Sequence, residues 1–182
     1  MVIPNMQQPE QYINSTSTEK KIWDLLETVC DPEVPVLSVL DLGIVRNIKI
    51  KEDEVEVVIT PTYSGCPAMD AISIDIRLKL IEHGYKKIKI TSILSPAWTT
   101  DWMSEAGKRK LKAYGIAPPH RSDVSSDRYS INHSDGTSDR LIECPQCNSS
   151  NTKLISQFGS TACKALYQCN DCKEPFDYFK CH

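Results

Sequence analysis

The chain has 182 residues, 40% of them hydrophobic and 25% charged, with a formal net charge of −3. This composition fits a soluble globular protein of one ordinary domain plus a small satellite. No block of like charge points to nucleic acid or an anionic membrane, and no apolar run reaches membrane-spanning length.

Residues 1–17 are polar, carry Pro4 and Pro9, and read as a flexible tail without the basic and apolar regions of a signal peptide. The expected location is therefore the cytoplasm, where eight cysteines point to metal more than to disulfides. Thr16 and Glu19 have capping-box spacing, and Ile22, Leu25, Leu26 and Val29 form one helical stripe. The stripe predicts a helix that stops at Asp31-Pro32-Glu33, because a residue before proline leaves helical geometry. An apolar loop then leads to Asp41-Leu42-Gly43. Alternation over Ile44–Ile50 and Val55–Thr60, with Glu52 and Asp53 between, predicts an antiparallel hairpin.

Pro61-Thr62-Tyr63-Ser64-Gly65-Cys66-Pro67 follows the second strand and precedes a run of apolar residues from Ile72 to Ile81 that ends at Gly84. The run predicts a mostly buried helix, with Pro67 at its first position and Cys66 at or next to the N-cap. A thiol facing unpaired N–H groups and the positive end of a helix dipole is expected to be acidified, as a metal ligand or nucleophile. The alternative is a small buried side chain in an ordinary strand-to-helix turn. Lys86–Leu94 predicts a third strand. A last helix is expected from Asp101 through Trp102, Met103, Ala106, Leu111 and Tyr114, ending at Gly115 with Pro118-Pro119 beyond. Lys108, Arg109, Lys110 and Lys112 complement its C-terminal dipole. This order predicts an α/β domain over 18–119, with a small three-stranded mixed sheet, helices on one face and a parallel pair beside the hairpin.

Residues 120–143, rich in serine and aspartate, read as a linker, with His120 and His133 exposed in it. Residues 144–182 are too few to bury a core unaided. Cys144-Pro-Gln-Cys147 and Cys169-Asn-Asp-Cys172, 21 residues apart, supply the staple: four thiolates from two tight turns suit zinc, with an iron–sulfur cluster as the alternative. One strand is expected around Leu154, Ile155 and Phe158 and another over Ala165, Leu166 and Tyr167, giving a metal-stapled β ribbon. Cys163 and Cys181 exceed a four-ligand site; one could replace a knuckle cysteine, both could join Cys66 as additional thiol ligands in a second cluster, or they are buried and inert. His182 is a weaker terminal ligand.

Asp31-Pro32-Glu33, Asp41-Leu42-Gly43 and Thr60–Pro67 resemble the iron–sulfur assembly accessory domains of bacteria and of the cytosolic iron–sulfur targeting machinery. Ser95–Trp102, Gly115–Pro119, Phe158–Ala165 and Glu174–Cys181 narrow the similarity to the PaaD (or PaaJ) family, the D component of bacterial phenylacetyl-CoA epoxidase systems. The resemblance covers about residues 18–119 and 144–182. It implies an accessory subunit acting beside a di-iron oxygenase, a structural partner and an iron–sulfur flavoprotein reductase in phenylacetate degradation. It also implies zinc in the tail, with iron or an iron–sulfur cluster held transiently. Cys66 would be the reactive or cluster-handling cysteine, and Asp31 and Glu33 would belong to an acidic signature. Independent catalysis is not expected: the chain has no Glu-x-x-His pair for a di-iron bundle and no Gly-x-Gly-x-x-Gly for a dinucleotide.

Overall fold

The computed structural model describes residues 17–63, 65–119 and 142–180. Helix α1 (Ser17–Leu26) is followed by strands β1 (Val45–Lys51) and β2 (Glu54–Ile59), helix α2 (Ala68–Glu82) and strand β3 (Lys87–Ser92). Helix α3 (Glu105–Tyr114) precedes the ribbon strands β4 (Thr152–Ser156), β5 (Lys164–Cys169) and β6 (Pro175–Phe179). Contacts divide the chain into two units, Met1–Gly107 and Lys108–His182.

In the first unit the sheet order is β1-β2-β3, antiparallel then parallel, which is the expected mixed sheet. Val55, Val57 and Ile59 point to one face and are buried with Ile22 and Leu26 of α1 and Ile72, Ile76 and Leu80 of α2. Each such side chain contributes roughly 1.5–3 kcal/mol. The opposite face carries Lys49, Glu56 and Lys89 in register across the three strands. Glu56 bonds Thr91 Oγ1 at 2.7 Å and Lys89 at 2.9 Å.

Three expectations change. Helix α1 ends at Leu26, one turn before Asp31, because Thr28 N and Val29 N fall back to i−3 acceptors, Leu25 O and Leu26 O. Val29 is still buried, but in the loop that follows. Helix α2 carries apolar residues on two opposite faces yet buries only Ala68, Ile72, Ile76 and Leu80, leaving Ile74, Leu78 and Ile81 more than half exposed. Residues Thr100–Trp102 form a separate 3₁₀ turn, and α3 starts at Glu105 under a cap in which Gly107 N donates to Ser104 Oγ at 2.8 Å.

The second unit holds an antiparallel sheet in the order β4-β5-β6. Its core is Ile142, Cys144, Ala165, Cys169, Phe176 and Tyr178, with Ala117 beside them. Ala117 pairs with Tyr178: its N–H donates to Asp177 O at 2.8 Å, and its carbonyl accepts from Phe179 N at 3.0 Å. The strand β6 and this bridge go beyond the two ribbon strands that the sequence predicts. Phe158, expected in a strand, lies beyond β4 and is 62% exposed.

Candidate functional site

Strand β2 runs out at Ile59, and Thr60, fully buried, begins the thiol loop; its Oγ1 has no hydrogen-bond partner among the described residues. Gly65 has φ +92°, a left-handed turn that places Cys66 immediately before Pro67, the N-cap of α2. Cys66 N donates to Tyr63 O at 3.3 Å and Cys66 O accepts from Met69 N at 3.2 Å, so both backbone groups of the cysteine hold the turn. The side chain is half-buried and unbridged. At the other end of the helix, Gly84 N and Tyr85 N close on Ile81 O and Leu80 O, a left-handed glycine cap as expected. His83 sits there against Lys79 O at 2.8 Å. Fifteen residues of helix separate it from Cys66, about 22 Å of rise, so it cannot serve that thiol as a base.

Asp31 and Glu33 share one turn. Asp31 Oδ1 accepts from Glu33 N at 2.7 Å and Val34 N at 2.8 Å, capping the loop after α1. Asp41, of the other signature, is 3% exposed, and its Oδ2 and backbone N–H exchange hydrogen bonds with Ser38 N and Oγ at 3.2 and 3.0 Å. Asp41 Oδ1 also takes the Ser104 hydroxyl at 2.7 Å, which ties the loop to the start of α3. Beside it, Arg46 lies 3.5 Å over the Trp102 ring and donates to Gly43 O at 3.2 Å; burial lowers its pKa.

The ribbon brings Cys144, Cys147, Cys169 and Cys172 together, with all four Sγ atoms within 4.8 Å of one another. Cys144 and Cys172 are 3.7 Å apart, Cys147 and Cys169 3.5 Å. A tetrahedral ion with bonds of about 2.3 Å would set its sulfurs about 3.8 Å apart, so the quartet fits one metal ion. Cys144 and Cys169 are buried, Cys147 and Cys172 exposed. Each pair closes a tight turn whose next residue is left-handed, Asn148 at φ 60° and Lys173 at φ 69°. Hydrogen bonds from the Cys172 and Asp171 backbones bring the Cys169 thiol down to about 7. Glu174 N–H also favours ionised Cys172, but desolvation and the three neighbouring sulfurs push it up to about 12. Ionisation is thus favoured at Cys169 and resisted at Cys172, unless a cation neutralises the sulfurs.

The turns are also joined outside the sulfurs. Asp171 accepts from Asn151 Nδ2 at 2.8 Å and from Ser149 Oγ, and Asn170 Nδ2 donates to Asn151 Oδ1 at 2.9 Å. This polar clasp has no motif of its own in the sequence. Cys163 is buried, contacts Thr161 Oγ1 at 3.0 Å and stands outside the quartet. Cys181 and His182, as well as His120 and His133, lie outside the described residues. Among the described residues no helix is long and apolar enough to cross a membrane.

Residues 19–85 match the family described as iron–sulfur cluster assembly protein, and residues 130–180 match the PaaD zinc beta ribbon domain. The chain is 45% identical over 161 residues to the putative D subunit of 1,2-phenylacetyl-CoA epoxidase from Escherichia coli, covering 88% of this chain and 92% of that one. It is 42% identical over 96 residues to an Fe–S protein maturation auxiliary factor of Porphyromonas gingivalis, covering 52% of this chain and 90% of the relative. A solved domain of unknown function from Bacillus anthracis aligns at 28% identity with a TM-score of 0.48, covering 51% of this chain and 90% of that domain.

Proposed function

The chain belongs to the PaaD family, that of the 1,2-phenylacetyl-CoA epoxidase D subunits, and on that premise we propose that it is a cytoplasmic accessory subunit of such a system. Its task is to mature or insert the iron or iron–sulfur centres of the di-iron oxygenase or the flavoprotein reductase. The observation that carries this reading is Cys66: a half-buried, unbridged thiol at a strand-to-helix junction, within the segment matching iron–sulfur cluster assembly proteins. Iron or a cluster is then cargo. The Cys66 thiol releases its proton to solvent and binds iron as thiolate, and a client's own ligands displace it. That exchange moves no electrons. Asp31 and Glu33, in their shared turn, are the acidic residues assigned to tune it.

The ribbon is read as a structural zinc module. A cluster of two or four irons spreads its ligand sulfurs across the width of its own core, whereas four Sγ atoms all within 4.8 Å of one another suit a single ion. All four positions of that ion are taken by cysteine, which leaves none open for catalysis.

Anaerobic reconstitution with ferrous iron and sulfide tests the reading. Wild type should retain both, Cys66→Ser should lose both while keeping its zinc, and a strain lacking the chain should under-load its client with metal. Equal iron and sulfide in Cys66→Ser, or normal client loading in the deletion strain, would refute it. A second reading, a non-catalytic docking subunit, draws on Asp31, whose Oδ1 is already committed to two backbone N–H groups of its own loop. In that case Cys66→Ser keeps full function in the cell and only the zinc ribbon is needed.

A further inference from the structure

Ala71, Ile74, Leu78 and Ile81 are spaced 3, 4 and 3 along α2, all exposed, the last three at 57%, 51% and 51%. That spacing is the seam of a two-helix coiled coil, and it lies opposite the buried stripe that holds α2 to the sheet. Single exposed apolar residues are ordinary, but a continuous seam of this kind marks an interaction surface. From this seam we infer that the outer face of α2 receives an amphipathic helix of a partner protein, one with an apolar seam flanked by lysine or arginine.

The rim decides the occupant. Asp70 lies on one flank of the seam, Asp75 and Glu82 on the other, and all three are exposed. The flanking cation, Arg77, donates to Ile88 O on β3 at 2.9 Å, and Lys79, off the seam, lies 3.8 Å from Glu82. The rim is therefore net acidic. A second copy of this chain fits it poorly. Antiparallel pairing that fills every layer, Ala71 against Ile81 and Ile74 against Leu78, brings Asp75 opposite Asp75 and Arg77 opposite Arg77. Parallel pairing sets Asp70 against Asp75 and Arg77 against Glu82, so a repulsive pair cancels an attractive one. Like charges disfavour the antiparallel pairing and the parallel one gains nothing from its flanks, whereas a basic-flanked helix meets Asp70, Asp75 and Glu82 with opposite charge. Such a helix would lie along the element whose N-terminus carries the Cys66 loop.

The test uses the full zinc-loaded chain and a synthetic 21-residue helix with a leucine seam and lysine flanks. The expected result is saturable binding that protects amides of 70–82 from exchange. A scrambled peptide of the same composition and a glutamate-flanked one should bind at least roughly tenfold more weakly. Leu78→Glu should weaken binding by a similar factor with melting temperature and zinc content unchanged. Equal binding by the scrambled peptide or by Leu78→Glu would overturn the inference. So would a wild-type dimer that Leu78→Glu dissociates. Neither readout involves iron or Cys66, so this failure is distinct from failure of the maturation reading.

Discussion

Asp171, inside the second cysteine turn, accepts a hydrogen bond from Asn151, just past the first, at 2.8 Å, and takes the Ser149 hydroxyl on its other oxygen. The Ser149 bond and then the Asn151 bond hold its pKa below the usual carboxylate range. The two turns are thereby clasped by side chains as well as by sulfur. Partners beyond the ligands orient them, and losing one typically weakens metal binding 10- to 100-fold. Asp171 is exposed, so the lower end applies: Asp171→Ala should release zinc to a chromogenic chelator with an affinity about tenfold weaker. An unchanged affinity would mean that the sulfurs alone set the geometry.

Removing the metal should unfold the ribbon and spare the first unit. The ribbon core is small, and Cys144 and Cys169 are both members of it and of the quartet. Binding energy is therefore folding energy there. Cys144→Ser or excess chelator should abolish amide protection over 152–179 while 22–92 stays protected. Cys66→Ser should leave both protected. Ligand thiolates must stay deprotonated, so zinc should leave as pH falls, and the ribbon signal should follow it.

Lys173 stands at φ 69° directly after Cys172, where a glycine would be unstrained. A non-glycine residue there costs roughly 1 kcal/mol. Its Nζ reaches Asn170 O at 2.5 Å, an exposed contact that returns little of that cost. Lys173→Gly should therefore stabilise the ribbon by up to about 1 kcal/mol. Lys173→Ala keeps the strain and should gain nothing. If alanine and glycine behave alike in thermal melts, backbone strain is not the cause.

The parts readable from sequence are those set by local spacing. Alternation in Val55, Val57 and Ile59 marks the central strand, and two C-x-x-C pairs mark the quartet that lies within 4.8 Å. What spacing does not carry is the choice among equally apolar faces. Ile74, Leu78 and Ile81 are as hydrophobic as Ile72, Ile76 and Leu80, and only packing against the sheet tells which three are buried. Strand β6 has a period-two signal in Phe176 and Tyr178, but the run is short and hidden among the cysteines. The Ala117–Tyr178 bridge spans 61 positions and has no local trace. Asp31 invites a chemical reading, yet its cap on Glu33 N and Val34 N is a local role that an Asp-Pro turn also permits.

Glu56 gives the first unit a defined acid limit. Its carboxylate accepts from Thr91 foremost, then Lys89, with Lys89 and Lys49 adding charge, and its pKa falls from 4.5 to about 2. A depressed folded-state value means the native state favours the ionised form. That stabilisation is complete above the unfolded value of 4.5 and is lost as pH falls toward about 2. The stability difference between wild type and Glu56→Gln should be constant above about pH 5.5 and shrink between pH 4.5 and 2. Urea titrations across that range check it; a difference independent of pH would place the effect in packing rather than charge.

Gly43 and Gly65 both sit at positive φ, +66° and +92°, but their surroundings differ. A Cβ on Gly43 would lie 2.1 Å from Trp102 O and 2.7 Å from its carbonyl carbon, backbone atoms that cannot step aside. Trp102 is also the ring beneath Arg46, so displacing it disturbs the stacked guanidinium. Gly43→Ala should combine backbone strain with overpacking and cost about 3 kcal/mol or more. At Gly65 a Cβ would meet nothing within 4 Å, leaving only the left-handed penalty of roughly 1 kcal/mol. Because Gly65 turns the chain into Cys66, that smaller strain should fall on the thiol loop. Gly65→Ala should melt within a few degrees of wild type yet alter the rate at which Cys66 reacts with a thiol probe. Gly43→Ala should lower the melting temperature far more. Similar melting losses in the two variants would contradict the close approach of Trp102 to Gly43.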